Sequence, residues 1–294
     1  MHAYMIIAHN QFELLEKLVK SLDDNRNDIY IHIDAKVKNF DFDRIKNAVK
    51  FSSVYFTDRI RITWGDFSQV KCEMILLKTA VENQNNGKQY EYFHLISGVD
   101  LPIKSNDYIH SFFENNKGKE FIHFTNAKDD TQAQNRIRYY HIFRKRRNLF
   151  FKILAQIAYR IQMLLDVNRL KGKDLIIQKG CNWFSITNNL AEYIVDNLNF
   201  YEKLFKYSYC ADEVFVQTVL KNSPFKNNLY MPQSGDNHLA CMRLIDWKRG
   251  NPYVFKDNSD FDMIKESPAV FARKFDYERY PEIVDSVLEY RELA

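Results

Sequence analysis

Two adjacent carboxylates, Asp212 and Glu213, stand at the head of an apolar run in CADEVFVQTVLKNSPF (residues 210–225), just before Val214, Phe215, Val216 and Val219. Two readings fit that placement. Asp is a favoured helix N-cap, and acids in a first helical turn complement the positive end of the helix dipole. A helix start that faces a cleft is also a rigid mount for an ionised general base. Two further acidic groups, DFD at 41–43 and DFD at 260–262, have the Asp-x-Asp spacing of a divalent-cation mount. Neither follows a buried strand, so both are expected to begin helices rather than to hold a metal. The four cysteines (Cys72, Cys181, Cys210, Cys241) are isolated, without a CxxC pair. That argues against a zinc site and fits free, mostly buried thiols in a reducing compartment.

The elements that would carry these groups alternate in the first hundred residues. AYMIIAH (3–9) is a continuous apolar run, as expected for a strand covered on both faces. FELLEKLVKSL (12–22) places Leu14, Leu15, Leu18, Val19 and Leu22 on one helical face. DIYIHID (28–34) and SSVYFT (52–57) read as strands, SQVKCEMILLKTAVE (68–82) as an amphipathic helix, and EYFHLISGVD (91–100) as a fourth strand. Strand–helix–strand order with short connections implies parallel pairing in a Rossmann-like half. Ligands of such sheets gather beyond the carboxyl ends of the strands, here His9, Asp34 and the Gly98–Asp100 turn. The first strand runs into HNQFE rather than GxGxxG, and there is no Walker-type loop, so NAD, FAD and a P-loop are excluded while binding through a base and ribose stays open.

The second half is less regular. EFIHF (120–124) reads as a strand, DLIIQKGCNWFSIT (174–187) as strands around a turn at Gly180, and 188–199 and 212–221 as helices. No Pro/Gly/Ser-rich linker separates the halves, so one domain over 1–294 is expected. At 294 residues and 46% apolar, with 23 Phe and 18 Tyr, the chain can fill a sizeable core. The net charge of +4 is mild, but from Thr131 to Leu165 there are eight Lys or Arg and no acid. That segment, rich in Phe, Leu and Ile, reads as a solvated helical face, as an interfacial helix on anionic lipid with Phe150, Phe151, Ile153, Leu154, Ile157 and Leu164 inward, or as a nucleic-acid surface. No nucleic-acid motif accompanies it. The N-terminus lacks a signal peptide or anchor, and FFKILAQIAYRIQMLL is broken by Lys152 and Arg160, so a soluble chain is expected.

Seven stretches in order, AYMIIAH, YIHIDAK, ITWGDFSQVKCEMILL, YFHLISGVDLPIK, KGCNWFSIT, CADEVFVQTVL and FARKFD, resemble the core-2/I-branching and peptide O-xylosyltransferase family, glycosyltransferase family 14. The resemblance runs from residue 3 to about 276. It implies an α/β fold of the GT-A type with a Rossmann-like mixed sheet flanked by helices, inverting transfer from a UDP-sugar to a glycan hydroxyl, and no divalent metal or other cofactor. It also implies that Glu213 is the general base and leaves Asp212 as the cap. Inverting transfer needs in-line attack by an oxygen whose proton leaves as the bond forms.

For the departing UDP, the resemblance implies an Arg and a Lys on the diphosphate in place of a metal. Lys274 of FARKFD matches the Lys. Arg249 in DWKRGNP is the choice for the Arg, with Lys248 or Arg243 as alternatives. For the nucleoside it implies backbone contact from Ile7, His9 lining the pocket, Asp34 accepting a hydrogen bond from uracil, and Trp64 packing on the nucleoside. Asp100 in SGVDLP is expected to face the sugar. Trp183 and Trp247 are expected to stack on acceptor pyranose faces. No acceptor motif is matched within 125–150. The lack of anchor and paired cysteines suggests a bacterial cytoplasmic enzyme, peripheral at the inner membrane face, acting on a lipid-linked precursor of a cell-surface polysaccharide. The rival from another class is a catalytically silent nucleotide- or carbohydrate-binding module on the same fold, for which a base at Glu213 would have no use.

Overall fold

The computed structural model describes residues 1–125, 130–143, 148–233 and 237–293; Arg144, Lys145, Arg146 and Arg147 of the basic segment lie outside them. The chain begins β1 (His2–Ala8), α1 (Phe12–Ser21), β2 (Asn27–Ile33), α2 (Phe42–Lys46), β3 (Ser53–Phe56), α3 (Ser68–Asn83) and β4 (Tyr92–Ser97). It continues through β5 (Leu101–Pro102), α4 (Asn106–Asn115), β6 (Phe121–Ile122), α5 (Asp130–Arg138), α6 (Leu149–Leu164), β7 (Phe184–Thr187), α7 (Asn188–Asp196) and α8 (Leu198–Phe205). The last elements are α9 (Phe215–Lys221), β8 (Arg243–Ile245), α10 (Asn258–Glu266), β9 (Phe271–Arg273) and α11 (Pro281–Arg291).

The main sheet has the order β3-β2-β1-β4-β7-β6. β1 pairs in parallel with both β2 and β4, and β2 in parallel with β3. β7 is antiparallel to β4 and to β6, which makes the sheet mixed. A small sheet, β5-β9-β8, brings residues 271–273 beside Leu101–Pro102. Period-two alternation sorts β1 between two cores. Ala3 and Met5 face α3, α7 and α9 with Phe93 and Leu95, whereas Tyr4, Ile6 and Ala8 face α1 and α11 with Leu14, Leu18 and Val284. Both faces of the central strands are therefore dry, which is why they read as unbroken apolar runs.

The expected first half is present, and the second half departs from expectation where β propensity met no partner. Within 174–187 only Phe184–Thr187 is a strand, and 120–124 shrinks to Phe121–Ile122. Gly180 lies instead in an irregular stretch whose backbone is pinned by Gly180 N–H donating to Glu213 O at 2.8 Å. A Cβ at Gly180 would meet His123 O at 1.8 Å, so only glycine allows this approach. Residues 188–199 are divided into α7 and α8. Both DFD triplets do enter helices. Asp41 caps α2 by accepting from Arg44 N, and Asp260 sits in the first turn of α10 behind the Asp257 cap.

Candidate active site

A cleft of about 740 Å³ opens where β1, β2 and β4 end. Its floor is Ile7, Ala8, His9, Asp34, Ser97 and Gly98. The register explains the convergence: Ile7 lies opposite His32 and Ser97, and Asp34 N and Gly98 N donate to Ala8 O and Ile7 O, both at 3.0 Å. Chain reversals after three neighbouring parallel strands thus leave a crevice with exposed polar backbone, the usual place for a ligand in an open α/β sheet.

Asp34 is buried and oriented from behind. Its Oδ1 accepts from Lys36 N at 2.9 Å, and Arg59 donates to its backbone oxygen at 2.9 Å. Burial pulls the His9 imidazole below its ordinary range, with Asp34 opposing and Lys274 adding to the effect. His9 is thus held toward its neutral form, a donor and acceptor rather than a cation. Trp64 lines the cleft with two thirds of its surface exposed, its ring edge-on to Tyr209 at 6.3 Å. It is therefore a rim residue and not part of the core. Gly65 beside it has φ +75°, and a Cβ there would meet the Tyr209 ring at 2.8 Å.

Across the cleft stand the two carboxylates. They occupy a single 3₁₀ turn, Ala211–Glu213, that precedes α9, and neither side chain caps a helix. The expectation that Asp212 is the cap is corrected here. Asp212 is instead buried, its Oδ2 accepting from Gln69 Nε2 of α3 at 2.8 Å and its Oδ1 without a partner. Burial, and next the charge of Glu213, push its carboxyl up to about 7. Behind it Glu73, fully buried on α3, is pushed well up by burial and then by Asp212. Glu213 differs in its exposure and in its partner. Its side chain is 39% exposed, and Oε2 accepts from Arg136 Nη1 at 2.6 Å. Arg136 also donates to Cys210 O at 3.1 Å, which locks the guanidinium against the loop that carries Glu213. One carboxylate oxygen is fixed by a charge-assisted bond, and Oε1 is not engaged by any described residue. Both acids line the cleft and each keeps an oxygen without a described partner, but only Glu213 combines it with the solvent access that a base needs.

The cations of the cleft are Lys36, Lys179, Arg273 and Lys274. Arg249 is not among the described residues that line it. Its guanidinium is held by Asp246 at 2.5 Å and by the buried Asp260 at 2.7 Å, over the Tyr253 ring at 4.0 Å. Two carboxylates thus hold Arg249, one of them from the second DFD triplet, so it cannot serve the cleft in this arrangement. The alternatives fare no better. Arg243 is buried and spends its donors on Cys241 O, Phe184 O and Ser185 Oγ. Lys248, beside Arg249 in the same turn, is likewise absent from the described lining. Arg273 is the cation that sequence reasoning missed. Its guanidinium lies 4.2 Å from the Trp183 ring centroid and its Nε 3.6 Å from Asp100 Oδ1. The signal was available, since it neighbours Lys274 in FARKFD.

Asp100 is 1% exposed, accepts from Ser97 N and Oγ at 2.9 and 2.6 Å, and is not in the cleft lining. It therefore does not face the cleft where a sugar was expected, and lies instead behind Arg273. Trp183 and Trp247 do line the cleft, the first 8% and the second 46% exposed. Arg273 already covers one face of Trp183, which leaves Trp247 as the ring with a free surface. Lys179 was also missed, as were Arg136, Gln69 and Glu73, whose positions depend on contacts more than 70 residues away that no local spacing encodes.

On the same wall His123, Cys181 and His238 bring one ligand atom each within 4.8 Å of one another. The hydrogen bonds argue against a metal there. The Cys181 backbone N–H donates to His123 Nδ1 at 3.1 Å, so in the neutral ring the proton sits on Nε2. The Cys181 thiol is pushed well up by its bond with Cys241 and by burial. The four cysteines are free and buried, as expected, with Cys181 and Cys241 sulfurs 3.8 Å apart.

A family model described as Core-2/I-Branching enzyme matches residues 2–263. The chain belongs to this family. Xylosyltransferase 2 of Rattus norvegicus is 24% identical over 293 residues, covering 93% of this chain and 32% of that protein. Xylosyltransferase 1 of Homo sapiens is 22% identical over 305 residues, covering 98% and 30%. The chain therefore spans about a third of the length of the curated relatives it matches. A crystal structure of mouse xyloside xylosyltransferase 1 in its apo form aligns with TM-score 0.36 and 8% identity over 92% of this chain and 97% of that one. For this Core-2/I-Branching family member, the mixed sheet with helices on both faces is the α/β, Rossmann-like architecture expected from the motifs.

Proposed function

We propose that the chain is an inverting glycosyltransferase that moves a sugar from a UDP-sugar to a glycan hydroxyl without a required metal. The observation that carries the reading is the pairing in one cleft of an accessible, guanidinium-fixed carboxylate, Glu213, with Lys274 and Arg273. The nucleoside binds over Ile7, His9 and Asp34, with Trp64 against it. Glu213 Oε1 takes the proton from the acceptor hydroxyl as that oxygen attacks the anomeric carbon from the face opposite UDP. Lys274 and Arg273 offset the charge that grows on the leaving diphosphate in a partly desolvated cleft. Arg136 keeps the base in one rotamer, and Trp247 offers an apolar ring to the acceptor. Xylose and GlcNAc are the first donors to try. We place the enzyme in cell-surface polysaccharide synthesis, cytoplasmic and peripheral to the membrane, with a lipid-linked glycan as acceptor.

The test is release of UDP from UDP-xylose, UDP-GlcNAc and other UDP-sugars, measured with and without EDTA. Slow hydrolysis of one donor, lost in Glu213→Gln, is the expected result. Tight UDP binding with no turnover of any donor, with or without acceptor glycans, would leave only a binding module.

A further inference from the structure

α6 (Leu149–Leu164) has no buried residue along its 16 positions, unlike the helices that flank the sheet. Its packed side is narrow. Phe151 lies 6.0 Å from Phe143, Tyr159 5.0 Å from Tyr139, and Gln162 exchanges hydrogen bonds with the Tyr140 backbone. The adjoining face carries Phe150, Ile153, Ile157, Ile161 and Leu164, spaced 3, 4, 4 and 3 residues apart, so they form one continuous stripe. Each is half-exposed or more, from 49% at Ile157 and Ile161 to 85% at Leu164, and Leu149 and Leu165 extend the stripe at its ends. Nothing in the described fold covers it. Soluble monomers rarely leave so many large side chains contiguous in water.

We infer that this stripe is a surface-seeking device that beds α6 into the headgroup region of an anionic bilayer. Charge selects that occupant over a protein partner or a second copy of the chain. No Asp or Glu occurs between Thr131 and Leu165, and Lys152 and Arg160 project exposed from the helix itself. After the helix the charge is mixed, with exposed Lys171 and Lys173 between exposed Asp174 and Asp166, the latter paired with Arg138. An apolar stripe on a helix whose own charges are all cationic matches the polarity of a lipid surface with negative headgroups. A second copy would bring the same uncompensated cations against each other. No helix among the described residues is long and apolar enough to cross a membrane, so the contact is in-plane. The place is apt for the cleft. α5, which leads toward α6, supplies Arg136 to Glu213, and rings of His141, Tyr209 and Trp64 run in sequence from the α6 contact to the cleft rim.

The experiment is flotation of the full chain with vesicles of phosphatidylcholine alone or with one third phosphatidylglycerol. Binding to the anionic vesicles is expected, falling several-fold between low and 0.5 M salt. The double variant Ile157→Asp/Ile161→Asp should bind at least tenfold more weakly with an unchanged melting temperature, because both positions face water. Lys152→Gln/Arg160→Gln should bind anionic vesicles several-fold more weakly, and Phe51→Asp, an exposed aromatic elsewhere, should bind as wild type. Equal flotation with wild type and the Ile157/Ile161 variant would overturn the inference. So would absence of binding together with a dimer by light scattering that the same variant dissociates, since the occupant would then be a second copy. UDP-sugar turnover plays no part in this readout, so the membrane surface and the transferase reading stand or fall separately.

Discussion

Asp212→Asn separates the two acids of the cleft by a thermodynamic criterion before any activity is measured. Asp212 is buried beside buried Glu73, with Gln69 on one oxygen, nothing on the other, and Glu213 as its charged chain neighbour. Its carboxyl stands at about 7 against an ordinary 3.8. A raised folded-state value means that the native chain holds a proton the unfolded chain releases. The resulting stability is complete below about pH 4 and is lost as pH rises through 7. A difference of about 3 pH units at 1.36 kcal/mol each sets an upper bound of about 4 kcal/mol on that loss. Asn cannot ionise, so the variant should equal wild type near pH 4 and exceed it at pH 8 by about 2–4 kcal/mol. At roughly 2–4 °C per kcal/mol the gain is readable as a melting shift, or in urea by tryptophan fluorescence. Glu73, whose carboxyl is also raised, leaves some pH slope in the variant. Glu213→Gln should lose about 10²–10⁴ of the transfer rate with UDP affinity intact. Asp212→Asn should keep its rate within about tenfold. A variant no more stable than wild type at pH 8 would show that the fold does not raise the Asp212 carboxyl above its ordinary range. Full activity in Glu213→Gln with none in Asp212→Asn would exchange the two roles.

Lys274→Ala should lower transfer by about 10²–10³, with neither Mn²⁺ nor Mg²⁺ restoring it, and wild-type turnover should persist in excess EDTA. Loss in EDTA with rescue by Mn²⁺ would show that a bound ion does the work assigned to the lysine. Arg273→Ala should cost turnover at least about tenfold, whereas Arg249→Ala should leave turnover per folded molecule unchanged. The latter variant should instead lose about 1–2 kcal/mol of stability, because Asp260 is left buried without its partner. The reverse pattern in the two arginine variants would return Arg249 to the diphosphate. Trp247→Ala should raise the acceptor KM several-fold and leave UDP affinity alone, and a donor-side effect would move this ring out of the acceptor subsite.

The parts of this molecule legible in its sequence are those fixed by local periodicity. β1, β2 and β4 are buried on both faces, so their apolar runs announced themselves, and the residues at their carboxyl ends followed from chain direction alone. His9, Asp34 and Ser97 meet because three parallel strands stop together. The second half was harder because its backbone is organised by side chains distant in sequence. Gln178, the Gly180 approach to His123 and Thr218 tie 174–183 into an irregular wall where alternation suggested strands. Asp212 and Arg249 show the same limit from the other side. The family resemblance left Asp212 as a cap and made Arg249 the choice for the diphosphate. Each is governed by partners that only the fold supplies: Gln69 and Glu73 for the first, Asp260 for the second. A carboxylate next to another carboxylate says little about which will be buried. Here α3 settles it, because Gln69 and the buried Glu73 lie one helical turn apart and present one polar surface. Asp212 turns into it, and Glu213, one residue on, is left to Arg136 and the cleft.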